Sequence, residues 1–100
     1  MAKRPEECAT MAEVREGVDA LDRELVALLE RRFDYMRAAA RIKQSRDAVR
    51  DEARKAVVIA AARAEAQARD LPSDAIADMW ERLVEGSIAF ELDEWDRLHS

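Results

Sequence analysis

The chain has 100 residues, of which 22 are acidic and 17 are Lys or Arg, and its formal net charge is −5 at pH 7. This acidic balance argues against nucleic acid as a partner, because a phosphate backbone is bound by clustered cations. With only two glycines and two prolines, and with abundant Ala, Leu, Glu and Arg, the composition predicts an all-helical protein. We expect one domain over residues 1–100, in which residues 1–10 form an irregular lead-in.

Several classes of protein are excluded by what the sequence lacks. The longest aliphatic run, residues 56–62, is too short to span a membrane, and the N-terminus has no apolar core for a signal peptide. We therefore expect a cytoplasmic protein without a membrane partner. One cysteine and one histidine supply neither an internal disulfide nor a metal site. No nucleophile–base pair, glycine-rich phosphate loop or dinucleotide motif is present, so we expect no metal and no cofactor.

The first predicted helix carries one long stripe. Thr10 and Glu13 form a capping-box signature, so the helix is predicted to begin near Met11, and no Gly or Pro ends it before Gln44. At about 1.5 Å per residue it would be near 50 Å long, which is too long for its own chain to cover. A second molecule is therefore expected beside the stripe, whose members are Val14, Val18, Leu21, Leu25, Leu28, Arg32, Met36, Ala39 and Lys43.

Two cations lie on this stripe. The eleven residues between Arg32 and Lys43 turn the helix by three full turns plus about 20°, so both can face one ligand. They need an anionic partner, which is either a local carboxylate or a small dianion, and local pairing is the commoner case. Arg15 lies about 42 Å along the axis from Lys43, so it cannot serve the same site in one chain. In a two-fold dimer it would serve the partner's site.

Two further helices follow a short loop. Residues 44–50 lose the apolar pattern and are predicted to form the loop. The second helix is predicted over about residues 51–69. The segment 70–72 ends it, and Ser73 is expected to cap a third helix that continues to about residue 98. Predicted inward positions are Arg54, Val57, Val58, Ala61 and Ala68 on the second helix, and Ile76, Trp80, Leu83, Ser87 and Leu98 on the third, flanked by Phe90 and Trp95.

Two polar residues share a face of the third helix. Ser87 and Glu91 are four residues apart, on or beside the predicted core stripe. A serine in the middle of a helix usually bonds the carbonyl four residues earlier. Glu91 would be accounted for by pairing with Lys43 or Arg32. From these residues alone, the prediction is a helical dimer with a possible anion pocket.

These residues also carry a family resemblance. The chain resembles the all-helical chorismate mutases, in the branch that includes isochorismate-pyruvate lyase of salicylate biosynthesis. The resembling segments are PEEC, VREGVDALDRELVALLERRFDYMRAAARIK, VRDEAR and EGSIAFE. The resemblance implies an intertwined homodimer of three-helix chains. It also implies two shared sites for a small dianionic substrate, chorismate or isochorismate, with no cofactor.

The resemblance further implies roles for individual residues. Catalysis would fall to Arg32, Lys43 and Glu91: the two cations grip substrate carboxylates, and Lys43 also reaches the ether oxygen. The same three residues would bind substrate together with four others, namely Arg15 from the partner chain, Asp51 near the ring hydroxyl, Arg54 and Ser87.

The sequence departs from the family pattern at two positions. Some mutases have a glutamate that binds the ring hydroxyl where this chain has Lys55, so Glu52 or Asp51 would have to replace it. Bacterial relatives often have a glutamine at the position of Glu91, and its amide donates to the ether oxygen. A glutamate donates only when it is protonated. We expect a protonated Glu91 in the substrate complex.

Three functions follow as alternatives. Chorismate mutase activity, which gives prephenate, is favoured because VRDEAR keeps the arginine and aspartate of a mutase-like loop. Isochorismate-pyruvate lyase activity is the second alternative, toward which PEEC and RRFDYM lean. The third is a non-catalytic helical dimer used for interaction.

Overall fold

The computed structural model describes residues 2–100, and all regular secondary structure in them is helical. There are three α-helices, α1 (Met11–Ile42), α2 (Glu52–Ala68) and α3 (Ser73–Leu98). Short 3-10 helices cover Pro5–Glu7 and Arg46–Ala48. The described residues contain no strand, which confirms the predicted all-α class with a long first helix. None of these helices has the length and apolar character needed to cross a membrane.

Local capping explains where α1 begins. The Glu13 backbone N–H donates to Thr10 Oγ1 at 3.2 Å, and Glu13 Oε1 accepts from the Thr10 N–H at 3.1 Å. This reciprocal pair is a capping box, and it satisfies N–H groups that an uncapped helix end leaves without partners. The predicted start at Met11 is therefore confirmed.

The described residues form two compact units, with the boundary after Asp34, inside α1. In the first unit, the apolar stripe of α1 remains accessible on the single chain. Its five aliphatic side chains are between 38% and 56% exposed, namely Val14, Val18, Leu21, Leu25 and Leu28.

The second unit, from Tyr35 to Ser100, contains a packed core. Three residues are buried at its centre, and they come from the loop and from α3: Val49, Val84 and Ile88. Half-buried side chains of α2 and α3 surround them, namely Val58, Ile59, Leu92 and Trp95. The predicted loop is therefore part of the core, because Val49 is only 5% exposed.

The predicted inward faces of α2 and α3 are partly wrong for the single chain. Val58 is half-buried, but Val57 is 57% exposed, and Arg54 and Leu98 are exposed as well. The buried residue of α2 is Ala66. Because alanines occupy every side of this helix, the sequence pattern does not single out one face.

The connection between α2 and α3 is a tight left-handed turn. Asp70 has a φ of 57°, and the Leu71 N–H donates to the Ala66 carbonyl at 2.8 Å. This is the hydrogen bonding with which helices commonly end. The predicted end of α2 is thus confirmed. Ser73, however, is the first residue of α3, and the N-cap position belongs to Pro72, so the predicted serine cap is wrong.

Candidate active site

A partly buried ion pair lies in the second unit. Lys43 directly follows α1, and its Nζ is 2.7 Å from Glu91 Oε2 on α3. The Glu91 side chain is 5% exposed and that of Lys43 is 30% exposed. Because a buried carboxylate is unfavourable without a partner, the ammonium accounts for the burial of Glu91. The carboxylate of Glu91 is one of the partners that the sequence suggested for Lys43.

The loop after Lys43 completes the surroundings of the ammonium. The carbonyl of buried Val49 lies 3.5 Å from Lys43 Nζ, at the outer limit of hydrogen bonding. At the other end of the same residue, the Lys43 backbone carbonyl accepts a bond from Trp95 Nε1 at 3.1 Å. Lys43 is therefore held at both its backbone and its side chain.

Ser87 is buried one helical turn before Glu91. Its hydroxyl donates to the Leu83 carbonyl at 2.7 Å, which confirms the bond expected of a serine in the middle of a helix. Ser87 and Glu91 are each 4% exposed, so two polar groups lie on the buried face of α3. Such groups are rarely buried unless they are satisfied or functional.

Asp51 and Arg54 occupy the start of α2. Asp51 is the N-cap residue, and its Oδ1 accepts from the Arg54 backbone N–H at 3.0 Å. Both residues are exposed. The structure thus gives Asp51 a local capping role, which is compatible with a second role toward a ligand because a carboxylate has further acceptor positions.

Lys55 belongs to a separate charged cluster between the loop, α2 and α3. Its Nζ lies 2.6 Å from Glu81 Oε1 and 2.9 Å from Glu85 Oε2. Arg50 binds both oxygens of Glu85, at 2.8 and 3.0 Å, and also contacts Glu52. The side chain that departs from the mutase pattern is therefore engaged by two carboxylates of α3.

Charged neighbours shift the pKa of three groups in this cluster, Glu85, Lys55 and Arg50. Hydrogen bonds from Arg50 and then Lys55 lower the pKa of Glu85 to about 2. Hydrogen bonds to Glu81 and Glu85 raise the pKa of Lys55, and Glu85 followed by Glu52 raises that of Arg50. Each charged form is thus favoured by its neighbours.

Arg15 and Arg32 lie on α1 in the first unit. Arg15 is exposed, and Arg32 is half-buried and has interactions of its own. Among residues 2–100, no group of three or more His, Cys, Asp or Glu side chains is arranged to hold a metal ion.

Sequence reasoning missed three features of this region. These are the Val49 carbonyl beside the ammonium, the Trp95 bond to Lys43, and the pairing of Lys55 with Glu81 and Glu85. A signal for Trp95 was present, since it lies four residues after Glu91 and therefore on the same face of α3. No periodic pattern points to the Val49 carbonyl, which belongs to a loop only six residues after Lys43, and Lys55 is distant in sequence from Glu81 and Glu85.

Comparisons with known proteins agree with the resemblance noted from the sequence. Residues 14–92 match the family model described as chorismate mutase type II. The chain is also 30% identical over 93 residues to an isochorismate pyruvate lyase of Pseudomonas aeruginosa, covering 93% of this chain and 92% of that protein.

Proposed function

We propose that this chain, which belongs to the chorismate mutase type II family, is an enzyme that rearranges chorismate to prephenate. The observation that carries the proposal is the ion pair of half-buried Lys43 with buried Glu91, one helical turn after buried Ser87. An ammonium with a carboxylic acid one hydrogen bond away can stabilise an oxygen that becomes negative, without covalent chemistry.

The proposed reaction is pericyclic, so the enzyme orients and stabilises but forms no bond to the substrate. Chorismate must fold so that its enolpyruvyl carbon lies over the ring. Arg32 and the partner chain's arginine at position 15 would hold the two carboxylates in that pose. As the new carbon–carbon bond forms and the ether bond breaks, negative charge grows on the ether oxygen.

Lys43 would meet this charge with a donor already in place. An ammonium has three N–H groups. Within residues 2–100, its contacts are Glu91 Oε2 and the more distant Val49 carbonyl, which leaves at least one donor for the substrate. Preorganised donors of this kind are typically worth a few kcal/mol in the transition state.

Glu91 would act as the second donor. A carboxyl group donates a hydrogen bond only when it carries a proton, so this role belongs to the carboxylic acid form of Glu91. The substrate would then replace Glu91 as the counter-ion of Lys43. Asp51, Arg54 and Ser87 complete the proposed binding site, as the family resemblance implies.

We also propose that two chains form an intertwined homodimer in which residues 1–100 act as one functional domain. The support is the exposed aliphatic stripe of α1 in the first unit. Five aliphatic side chains on one helix face would gain substantially from burial, at about 25 cal/mol per Å² of apolar surface. Arg15 on the same helix would then be donated to the partner's site.

Isochorismate-pyruvate lyase activity is the second candidate. It is favoured by the similarity to the lyase of Pseudomonas aeruginosa along most of both chains. The same cations would hold isochorismate while a ring hydrogen transfers to the enolpyruvyl methylene carbon and the ether C–O bond breaks, which releases pyruvate and leaves salicylate. A non-catalytic helical dimer is the remaining alternative.

One experiment separates the three. Purified protein is supplied with chorismate and isochorismate separately, and prephenate, salicylate and pyruvate are measured, with the Lys43→Ala variant as control. Prephenate from chorismate is the expected result. Salicylate with pyruvate from isochorismate alone would establish the lyase instead. If neither substrate is turned over, the non-catalytic helical dimer would be the remaining alternative.

A further inference from the structure

The backbone of Lys43 is fastened to the helix that carries its ion-pair partner. Trp95 Nε1 donates to the Lys43 carbonyl at 3.1 Å. Lys43 directly follows the last residue of α1, where carbonyls lack intrahelical partners. The indole therefore satisfies a helix-end carbonyl, and Trp95 itself packs against the core of Val49, Val84 and Ile88.

The same face of α3 thus holds both ends of Lys43. Glu91 contacts the ammonium, and Trp95, one turn later, holds the backbone. A lysine side chain has a flexible four-carbon stem, so the position of its ammonium depends on where its backbone is fixed. Two contacts on one rigid helix define that position better than either contact alone.

Neighbouring contacts restrain both partners of the indole bond. Three residues after Lys43, Arg46 makes two bonds to Asp96, at 2.9 and 3.3 Å. On the other side, the His99 ring stacks on the Trp95 ring with centroids 3.9 Å apart. The ion pair of Arg46 with Asp96 is exposed and contributes little to stability by itself, whereas the hydrogen bond of the Trp95 indole is partly buried.

We propose that Trp95 is a positioning residue, which acts through Lys43 by holding its carbonyl and so aiming the ammonium at the substrate's ether oxygen. The inference rests on the proposed function. A donor displaced by about 1 Å can cost up to a hundredfold in rate, so the loss of the indole N–H has a measurable consequence.

The test begins with Trp95→Phe, which removes the N–H and keeps an aromatic ring in the core. Its kcat should fall about tenfold with little change in KM. Trp80→Phe is the matched control, since Trp80 is a half-buried tryptophan on the same helix, and it should leave kcat nearly unchanged. Should Trp95→Phe fold poorly, replacement of Trp95 by 3-benzothienylalanine in the Trp80→Phe background keeps the ring shape and removes only the donor.

A double-mutant cycle separates positioning from simple packing. In a Lys43→Met background, Trp95→Phe should cause no further loss of kcat, because there is no ammonium left to aim. A similar loss in both backgrounds would show a structural role and overturn the proposal. An unchanged kcat in the wild-type background would overturn it as well.

Hydrogen exchange gives a readout that needs no turnover. The Ala48 and Val49 amides donate to Ser45 and Arg46, both at 3.1 Å, so their exchange reports opening of the loop after Lys43. Exchange should quicken in Trp95→Phe and stay unchanged in Trp80→Phe. If the wild type turns over neither substrate, the proposed function fails. Independently of turnover, unchanged exchange in Trp95→Phe would show that Trp95 does not hold the backbone at Lys43.

Discussion

Two charged clusters in the second unit are built from similar residues but differ in the burial of their carboxylates. In the first, Lys43 meets Glu91, whose side chain is 5% exposed. In the second, Lys55 meets Glu81 and Glu85, whose side chains are 53% and 33% exposed. Both lysines contact carboxylates on α3 at less than 3 Å. Distance alone therefore does not distinguish them.

Burial of the carboxylate is the difference that matters. Glu81 and Glu85 stay partly exposed and keep much of their hydration, although the Lys55 side chain between them is only 16% exposed. A nearly buried carboxylate with a single close cation gives up hydration, and buried charged groups of this kind are concentrated at functional sites more than exposed pairs are. The comparison thus favours Lys43 and Glu91 as chemical groups and Lys55 as a structural one.

Removal of each lysine should give the largest difference in kcat between the two clusters. Lys43→Ala should lower kcat about a hundredfold or more, because it removes a donor used in the transition state. Lys55→Ala should leave kcat within about threefold, because its carboxylate partners Glu81 and Glu85 stay partly exposed to water. Steady-state kinetics with circular dichroism as a folding control measures both. An effect of Lys43→Ala on KM alone would show that Lys43 only binds a carboxylate.

Subunit mixing sharpens the assignment of Lys43 to a shared site. Arg15→Ala and Lys43→Ala proteins, each inactive, should regain roughly one quarter of wild-type activity when unfolded and refolded together. Half of the dimers would then be mixed, with one intact site in each. Mixed refolding of Lys43→Ala with Lys43→Met is the control and should restore nothing. Mixtures that stay inactive, although both variants form dimers, would contradict the shared site.

Glu91→Gln examines the buried carboxyl itself. The glutamine amide donates at every pH, whereas Glu91 donates only when protonated. The variant should therefore have a flatter kcat profile and a higher kcat on the alkaline side. Kinetics from acid to mildly alkaline pH measures this for both proteins. A variant that is slower at every pH would indicate instead that ionised Glu91 orients Lys43 and does not donate.

The smallest expected effect is on acid stability, through Glu85. Its pKa is about 2 in the fold against an ordinary value of 4.5 for a glutamate, so its ionised form stabilises the fold above pH 4.5. That contribution is lost as pH falls toward 2. The stability difference between wild type and Glu85→Gln should shrink across this window, as thermal unfolding at several pH values would show. Glu65→Gln is the control, since Glu65 pairs with Arg69 within one exposed helix turn. If the pH dependence of stability changed equally in Glu85→Gln and Glu65→Gln, the cluster around Glu85 would have no special contribution.

Local chemistry was predictable where the partners are close in sequence. The capping box of Thr10 and Glu13 joins residues three apart, so its pattern can be read directly. The bond of Ser87 to Leu83 and the end of α2 near Asp70 are local in the same sense. The apolar stripe of α1 was also evident, because helical periodicity depends only on spacing.

Other features were decided by tertiary packing. Glu91 lies 48 residues from Lys43, and the sequence left Lys43 and Arg32 as equal candidates for its partner. Val49 lies in the loop after Lys43, and the sequence did not predict that it would be buried. It is buried because this loop packs against side chains of α2 and α3. The alanine-rich α2 presented no clear face, so Val57 was wrongly placed inward.

The all-helical class, the approximate ends of the helices and the family could be read from the sequence, because these depend on composition, spacing and local hydrogen bonds. Only the tertiary structure decided which charges are buried and which remain solvated. That choice depends on how α3 packs against the loop and α2, bringing Glu91 and Trp95 to Lys43 and Glu85 to Lys55. The free energy of a charge depends on its whole surroundings, so no residue spacing encodes it.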